Sequence, residues 1–401
     1  MAATRYHDPV RFAYQPPTLL SGPGCVGELD TELERHGLER ALVVTGSTVG
    51  ETEAVMEPVR SGLGPRLLEV LDVTTPKKRL ATAAAVADRA RTLDADVLVG
   101  VGGGSSLDVT TVASMLAVDG RDATAAGEEL EDTNTISLPD ADPLPVVAVP
   151  TTLAGADLSM MAGITAHPDG GLVGEPTGGG VSGQALMPLA VAMDPELVAT
   201  TPHRVLAASA MNGFDKGIET LYSQAATPVT DATATHGLSL LRHSLPALDD
   251  GDLETVGAVT DGILLVQYGI SRASGSTLSL IHAFGHGLTR AFPIQQGAAH
   301  AVVAPHALAT LFDRVDGRRA LLADALGKPS TADPAAAVVD EVRAVRDGMG
   351  LPGRLRDLEG TSTERFEDIA TWVLADSLMA NTPPGLDLDH EEVVAVLEAA
   401  W

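Results

Sequence analysis

A chain of 401 residues with 45% hydrophobic content is long enough for two domains, each with its own buried core. Its 54 acidic against 26 basic residues give a formal charge of −28, which repels nucleic acid and anionic membranes, so neither is expected as a partner. The opening MAATRYHDPVRFAYQ has no apolar h-region, no apolar run is long enough to span a bilayer, and the single cysteine, Cys25, fits a reducing compartment; a cytoplasmic enzyme is expected.

In chain order, the first strand signal is ALVVT at 41–45, followed by Gly46 and Ser47. DVLVGVGGG at 96–104 is the second and PVVAVPTT at 145–152 the third, with alanine-rich helical stretches interspersed. That alternation predicts a parallel sheet covered by helices. Residues 118–143 carry many acids and prolines and read as an exposed excursion; the glycine-rich stretch at 170–183 reads as a mobile loop or one close to a ligand. After Asp194-Pro195 the chain changes to apolar-periodic segments at roughly 202–224, 229–246, 252–273, 276–291, 298–315 and 333–348, which predict helices. The first of them is expected to start with Thr201 as N-cap and Pro202 at the first helical position. The expected fold class is an α/β domain over 1–194 followed by an all-α domain over 195–401.

GGGSSLD at 102–108 follows the run DVLVGV and precedes TTVASML, so Gly102, Gly103 and Gly104 sit where a strand turns into a helix. Three glycines let a ligand approach the backbone closely, and the N–H groups at the helix start can hold a pyrophosphate. The spacing is not the usual G-x-G-x-x-G, and a tight structural turn is the competing reading. Thr151 and Thr152, after PVVAVP, form a second such position or an N-cap pair.

Taken together, GGGSSLD at 102–108, PTTLAGADLS at 150–159, AMDPEL at 192–197 and HAFGH at 282–286 resemble the iron-containing alcohol dehydrogenase superfamily in order and spacing. FAYQPPTLLSGPG at 12–24 and NTPP at 381–384 extend the likeness over essentially the whole chain. AMNGFDKGIETLYS at 210–223, AAHAVVAPHAL at 298–308 and VLEAAW at 396–401 resemble the maleylacetate reductase branch. The resemblance implies a dinucleotide-binding first domain, a helical catalytic domain, a homodimer and a small-molecule aldehyde, ketone or oxo-acid as substrate. The cofactor would be NAD or NADP, bound by Gly46, Ser47, Gly102, Gly103, Gly104, Ser105, Ser106, Asp108, Thr151, Thr152 and Leu153. NAD-using relatives carry an aspartate where this chain has Gly46, so a 2′-phosphate is admitted. The lysine that relatives carry downstream of PTTLAGADLS is absent from 170–183.

The family holds a divalent metal with an aspartate and a histidine four apart on one helix and two further histidines about fourteen apart. Here the aspartate becomes Asn212, the first histidine Lys216 and the last Gln296, and His282 remains. An ammonium group repels a cation and offers no lone pair, so this site should not bind iron or zinc well. Two pairs four apart, Asp215 with Glu219 and His282 with His286, leave open a displaced metal site. Asp215 could otherwise be a counter-charge or a surface acid, and Lys216 could pair with Asp215 or Glu219. His286 matches a histidine that relatives keep near the nicotinamide, where proton relay is implied; His300 is left open and His306 reads as structural. The expected catalytic set is Lys216, His286, His282, Asn212 and Gln296, with a metal-dependent enzyme and a non-catalytic dinucleotide-binding protein as alternatives.

Lys77, Lys78, Lys216 and Lys328 are the only lysines, so 22 of the 26 basic residues are arginine. This balance resembles proteins of salt-in halophiles. A carboxylate-rich surface stays hydrated, and its self-repulsion is screened in molar salt, where the Debye length is roughly 3 Å. A halophilic protein, destabilised at low salt, is expected.

Overall fold

The computed structural model describes residues 11–401 except 121 and 274, so the opening MAATRYHDPV lies outside the described residues. The chain divides into two compact units, Gln15–Thr201 and a second formed by Pro202–Trp401 with the segment ending at Tyr14.

The first unit is built on a six-stranded parallel sheet. Its strands are β1 (Thr18–Ser21), β2 (Ala41–Gly46), β3 (Leu67–Thr74), β4 (Val97–Gly102), β5 (Val146–Pro150) and β8 (Ala190–Met193), in the order β1-β8-β5-β4-β2-β3. Both faces of the central strands β2, β4 and β5 are buried, which is why these strands read as unbroken apolar runs. Leu42, Val44 and Leu98 face one core with the helices Leu80–Leu93 and Gly104–Val118; Val43, Val97 and Val99 face the other with Leu29–Arg35 and Glu53–Leu63. Because β3 lies on one side of β2 and β4 on the other, the strand order reverses at the carboxyl ends of β2 and β4. Ligands of open α/β sheets bind at such switch points.

Two sequence expectations change here. Residues 118–143 contain the helix Ala123–Thr133, whose Ala126 and Leu130, with Ile136 beyond it, enter the core. The stretch 170–183 is only partly a loop: β7 (Thr177–Ser182) pairs antiparallel with β6 (Met161–Ala166). Its glycines serve close packing, since a Cβ at Gly179 would stand 2.0 Å from Asn134 O and one at Gly180 2.6 Å from Ala162 O.

The second unit is helical. The helices His203–Tyr222, Pro228–Ser244, Leu253–Gln267, Leu280–Ala291, Gln296–Arg314 and Pro334–Gly348 match the six predicted segments. The third ends earlier than its apolar pattern, because Tyr268 turns extended and Gly269 takes φ +79°. Pro202 is the N-cap of the first helix rather than its first residue, and Thr201 instead donates through Oγ1 to Thr151 O at 2.6 Å. Among the described residues no helix is long and apolar enough to cross a membrane.

Candidate active site

The cradle in the first unit begins where β4 ends. Gly102 has φ +132°, a conformation that L side chains rarely adopt, and it turns the chain into the helix Gly104–Val118. Gly100, one residue inside the strand, brings that helix close: a Cβ there would meet Thr110 Oγ1 at 2.9 Å. Gly103 is the N-cap, and no side chain among the described residues caps the helix, which leaves its start open to an anion. A Cβ on Gly104 would touch only Ala156 Cβ, at 3.5 Å, so space opens beyond it. Thr152 lies against Gly103, and Thr151 N donates to Gly102 O at 3.0 Å.

Not every candidate in this loop has a side chain to offer. Ser106 Oγ is engaged with Thr74 Oγ1 at 2.6 Å, tying the cradle helix to the end of β3. Leu153 is fully buried and presents no exposed surface to a cofactor. Asp108 Oδ2 accepts from Lys78 Nζ at 2.5 Å. Gly46, paired with Thr74 across the β2/β3 edge, has Thr74 O only 3.1 Å from where its Cβ would be, so a carboxylate side chain would be crowded there. Ser47 follows it, exposed. A cradle that any Cβ would intrude upon, at the switch point of the sheet, fits a dinucleotide pyrophosphate.

The polar cluster of the second unit is nearly sealed from solvent. Asn212, Lys216 and Glu219 share one stripe of the helix His203–Tyr222 and are 6%, 9% and 0% exposed. Lys216 Nζ donates to Gln267 Oε1 at 3.4 Å. His282, on the helix Leu280–Ala291, brings Nδ1 to 2.5 Å from Glu219 Oε2. The other Glu219 oxygen accepts from the His282 main-chain N–H at 3.0 Å and from Tyr222 Oη at 3.2 Å. These donors assign the imidazole as Nδ1–H, with a lone pair on Nε2. Burial raises the Glu219 carboxyl above its ordinary value and lowers His282 well below its own.

Behind this pair lies a second one. Asp215 Oδ2 is 3.4 Å from His300 Nδ1, close but not aligned as a hydrogen bond, and the His282 and His300 rings meet edge to face at 4.5 Å. Asp215 is fully buried, which removes the surface-acid reading. Burial, then the charge of Glu219, raises its carboxyl well above the usual range, and burial pushes His300 down to about 3. Gln296 opens the helix Gln296–Arg314, its Cγ 3.2 Å from where a Cβ on Gly285 would sit. His286 is half exposed, with Nδ1 2.7 Å from Asp376 Oδ2. Among the described residues, His282 Nε2, Asn212 Oδ1, Gln267 Nε2, both Asp215 oxygens and both His300 nitrogens have no hydrogen-bond partner. Orphaned polar atoms at this density mark a place made for a polar occupant.

Residues 16–195 match the iron-containing alcohol dehydrogenase family and residues 206–401 match its C-terminal domain, so the chain belongs to that family. Maleylacetate reductase of Pseudomonas aeruginosa is 28% identical over 391 residues, covering 97% of this chain and 96% of that one. NAD-dependent methanol dehydrogenase of Bacillus methanolicus is 27% identical, over 89% and 93% of the two chains. A solved 1,3-propanediol oxidoreductase superposes with TM-score 0.87 at 22% identity, covering 98% of this chain and all of that one. The chain is an oxidoreductase of the alcohol dehydrogenase type, on the maleylacetate reductase-like side of the family.

The divalent metal of that family does not fit these residues. Lys216 brings a positive charge to the cluster, Asn212 and Gln296 bring neutral amides, and His282 Nε2 is a single imidazole lone pair. The displaced pairs do not converge either: Glu219 is turned to His282, Asp215 faces His300, and His286 is held by Asp376. No group of three His, Cys, Asp or Glu among the described residues is placed to hold a metal ion.

Sequence reading missed Gln267, Asp376, Thr74 and Lys78. Lys78 carried a signal, as one of four lysines in the chain. The other three carried none, because each reaches its partner from an element distant in sequence.

Proposed function

We propose that this chain is an NAD(P)H-dependent reductase of a small carbonyl compound, an oxo-acid such as maleylacetate among them, working without a catalytic metal. The buried ammonium of Lys216 carries this reading, because it stands where the family resemblance implies a metal-ligating histidine and has His282 and Asn212 beside it with unused acceptor atoms. The fit of the Gly102–Gly104 cradle supports the dinucleotide, and the NAD-dependent relative supports the same class of cofactor.

The reduced nicotinamide supplies the hydride when bound. The chain must hold the carbonyl, meet the charge growing on its oxygen and give that oxygen a proton. Lys216 meets the charge: with water largely excluded, attraction between an ammonium and an oxyanion exceeds its value in bulk water. Asn212 and Gln296 orient the polar groups of the substrate through their amides. His282 accepts a hydrogen bond at Nε2 but cannot donate one there while Glu219 takes the Nδ1 proton, so it orients a hydroxyl and is not the proton source. That role falls to His286, which solvent can reprotonate.

Replacing Lys216 by Met tests this. The variant should fold and bind cofactor, yet lose on the order of 10²–10³-fold in turnover, as when one oxyanion partner is deleted. Chelators should leave the wild type unaffected, and zinc or iron should not rescue the variant. Near-stoichiometric metal in purified wild type, with activity lost on stripping, would make it a displaced-ligand metalloenzyme. Cofactor binding with no turnover of aldehydes, ketones or oxo-acids in molar salt would make it a non-catalytic binding protein.

A further inference from the structure

His286 projects from the helix Leu280–Ala291 with its side chain 50% exposed, while its partner Asp376 is only 15% exposed. An exposed ion pair between two free side chains would be worth little. This one is built differently, because the carboxylate is fixed before the histidine meets it. Asp376 Oδ1 accepts from Leu378 N at 2.9 Å and caps the short helix Ser377–Asn381. At the far end of that turn, Asn381 Nδ2 donates to Leu278 O at 2.8 Å, just before the helix that carries His282 and His286. Asn381 O accepts from Ser223 Oγ and Gln224 N, each at 3.1 Å, just after the helix that carries Lys216. The turn that Asp376 caps is thus tied by main-chain and amide contacts of Asn381 to residues flanking two of the helices of the polar cluster. Burial alone would raise its carboxyl, but the hydrogen bonds from His286 and Leu378 outweigh that and hold it below the usual carboxylate range.

A carboxylate only accepts, so the imidazole nitrogen facing Asp376 must carry a hydrogen. We infer that Asp376 is a positioning residue for the reaction: it holds His286 as Nδ1–H and reserves Nε2 for proton exchange with the oxygen of the substrate. This rests on the reading of His286 given above. As the C–H bond forms, the carbonyl π bond opens onto oxygen, and oxygen takes the proton from Nε2–H of the imidazolium. The ring is left neutral, with a lone pair on Nε2 and its hydrogen still carried by Nδ1 and donated to Asp376 Oδ2. Water restores the Nε2 proton, and alcohol oxidation runs the same transfers backwards.

Asp376→Asn separates this role from the structural one, because the amide oxygen can still cap Leu378 N while its NH2 group can turn toward Nδ1. Full-length protein labelled with ¹⁵N-histidine is compared as wild type, Asp376→Asn and His286→Gln, the last assigning the signal. The wild type should show neutral His286 as Nδ1–H. Asp376→Asn should show the Nε2–H tautomer gaining, with kcat lower by about 10²–10⁴-fold and KM, cofactor Kd and Tm little changed. An Nε2–H tautomer in the wild type, or a variant with unchanged tautomer and kcat within threefold, overturns the inference. Full turnover by His286→Gln while the tautomer still follows Asp376 would overturn the proton-carrier reading of His286 and leave the pairing itself intact.

Discussion

His282 Nδ1 and Glu219 Oε2 lie 2.5 Å apart with both side chains almost wholly buried, and this contact decides what the surviving family histidine can do. Glu219 accepts from three donors, so it acts as an organiser that turns the Nε2 lone pair of His282 toward the cluster. In Glu219→Gln one of those donors would face an amide N–H. Loss of stability of about 1–3 kcal/mol is expected, with at least a tenfold loss in turnover as the tautomer of His282 is released. Urea unfolding beside steady-state kinetics checks both; wild-type behaviour in both would mean that the contact organises nothing.

The buried His300 predicts how stability depends on pH. Its imidazole is driven from an ordinary 6.5 down to about 3 by burial. Between those values the unfolded chain binds a proton that the folded chain does not, so the stability associated with His300 is present above about 6.5 and is lost as pH falls through this window. The slope for one group is at most about 1.4 kcal/mol per pH unit. Asp215, raised by burial, works in the opposite sense, costing stability as pH rises above the ordinary carboxylate value. His300→Asn should take up about one fewer proton on unfolding near pH 5. The measurement is the unfolding free energy as a function of pH, and an unchanged slope would put the titration elsewhere.

Gly104 gives a test of the cradle that does not disturb the fold. Its Cβ position meets only Ala156, at an ordinary 3.5 Å, so Gly104→Val should fold. The added side chain would occupy the space in front of the helix start, and the Kd for NAD(H) and NADP(H) should rise by at least about tenfold, the cost of roughly 1.4 kcal/mol of lost contact. Normal cofactor titration in this variant would move the phosphate site away from the loop.

Salt dependence follows from the charge of −28. Folding and activity should require high KCl or NaCl, with losses below a few tenths molar, since the Debye length grows from roughly 3 Å at 1 M to about 10 Å at 0.1 M and unscreened repulsion returns. Melting curves in dilute buffer and in molar salt decide it, and equal Tm values would show that the acidic surface exacts no such penalty.

The sequence by itself determined the three central strands β2, β4 and β5, the six long helices and the glycine turn after β4. Each of these is written in short-range patterns: apolar runs for strands covered on both sides, 3.6-residue periodicity for helices, and glycine where φ must be positive. It also offered Asn212, Lys216, His282 and Gln296 as candidates, because ordered motifs carry their own alignment. Edge strand β3, with a mixed burial pattern, and the glycine strand β7 had no such signature. What only the tertiary structure decided is pairing. Glu219 meets His282 across 63 residues, His286 meets Asp376 across 90, and Asp108 meets Lys78 across 30. Nothing local encodes these contacts, because they form only where packing brings distant elements together. For His282 and His286 they decide which ring nitrogen carries the proton, and so what each can do in the site.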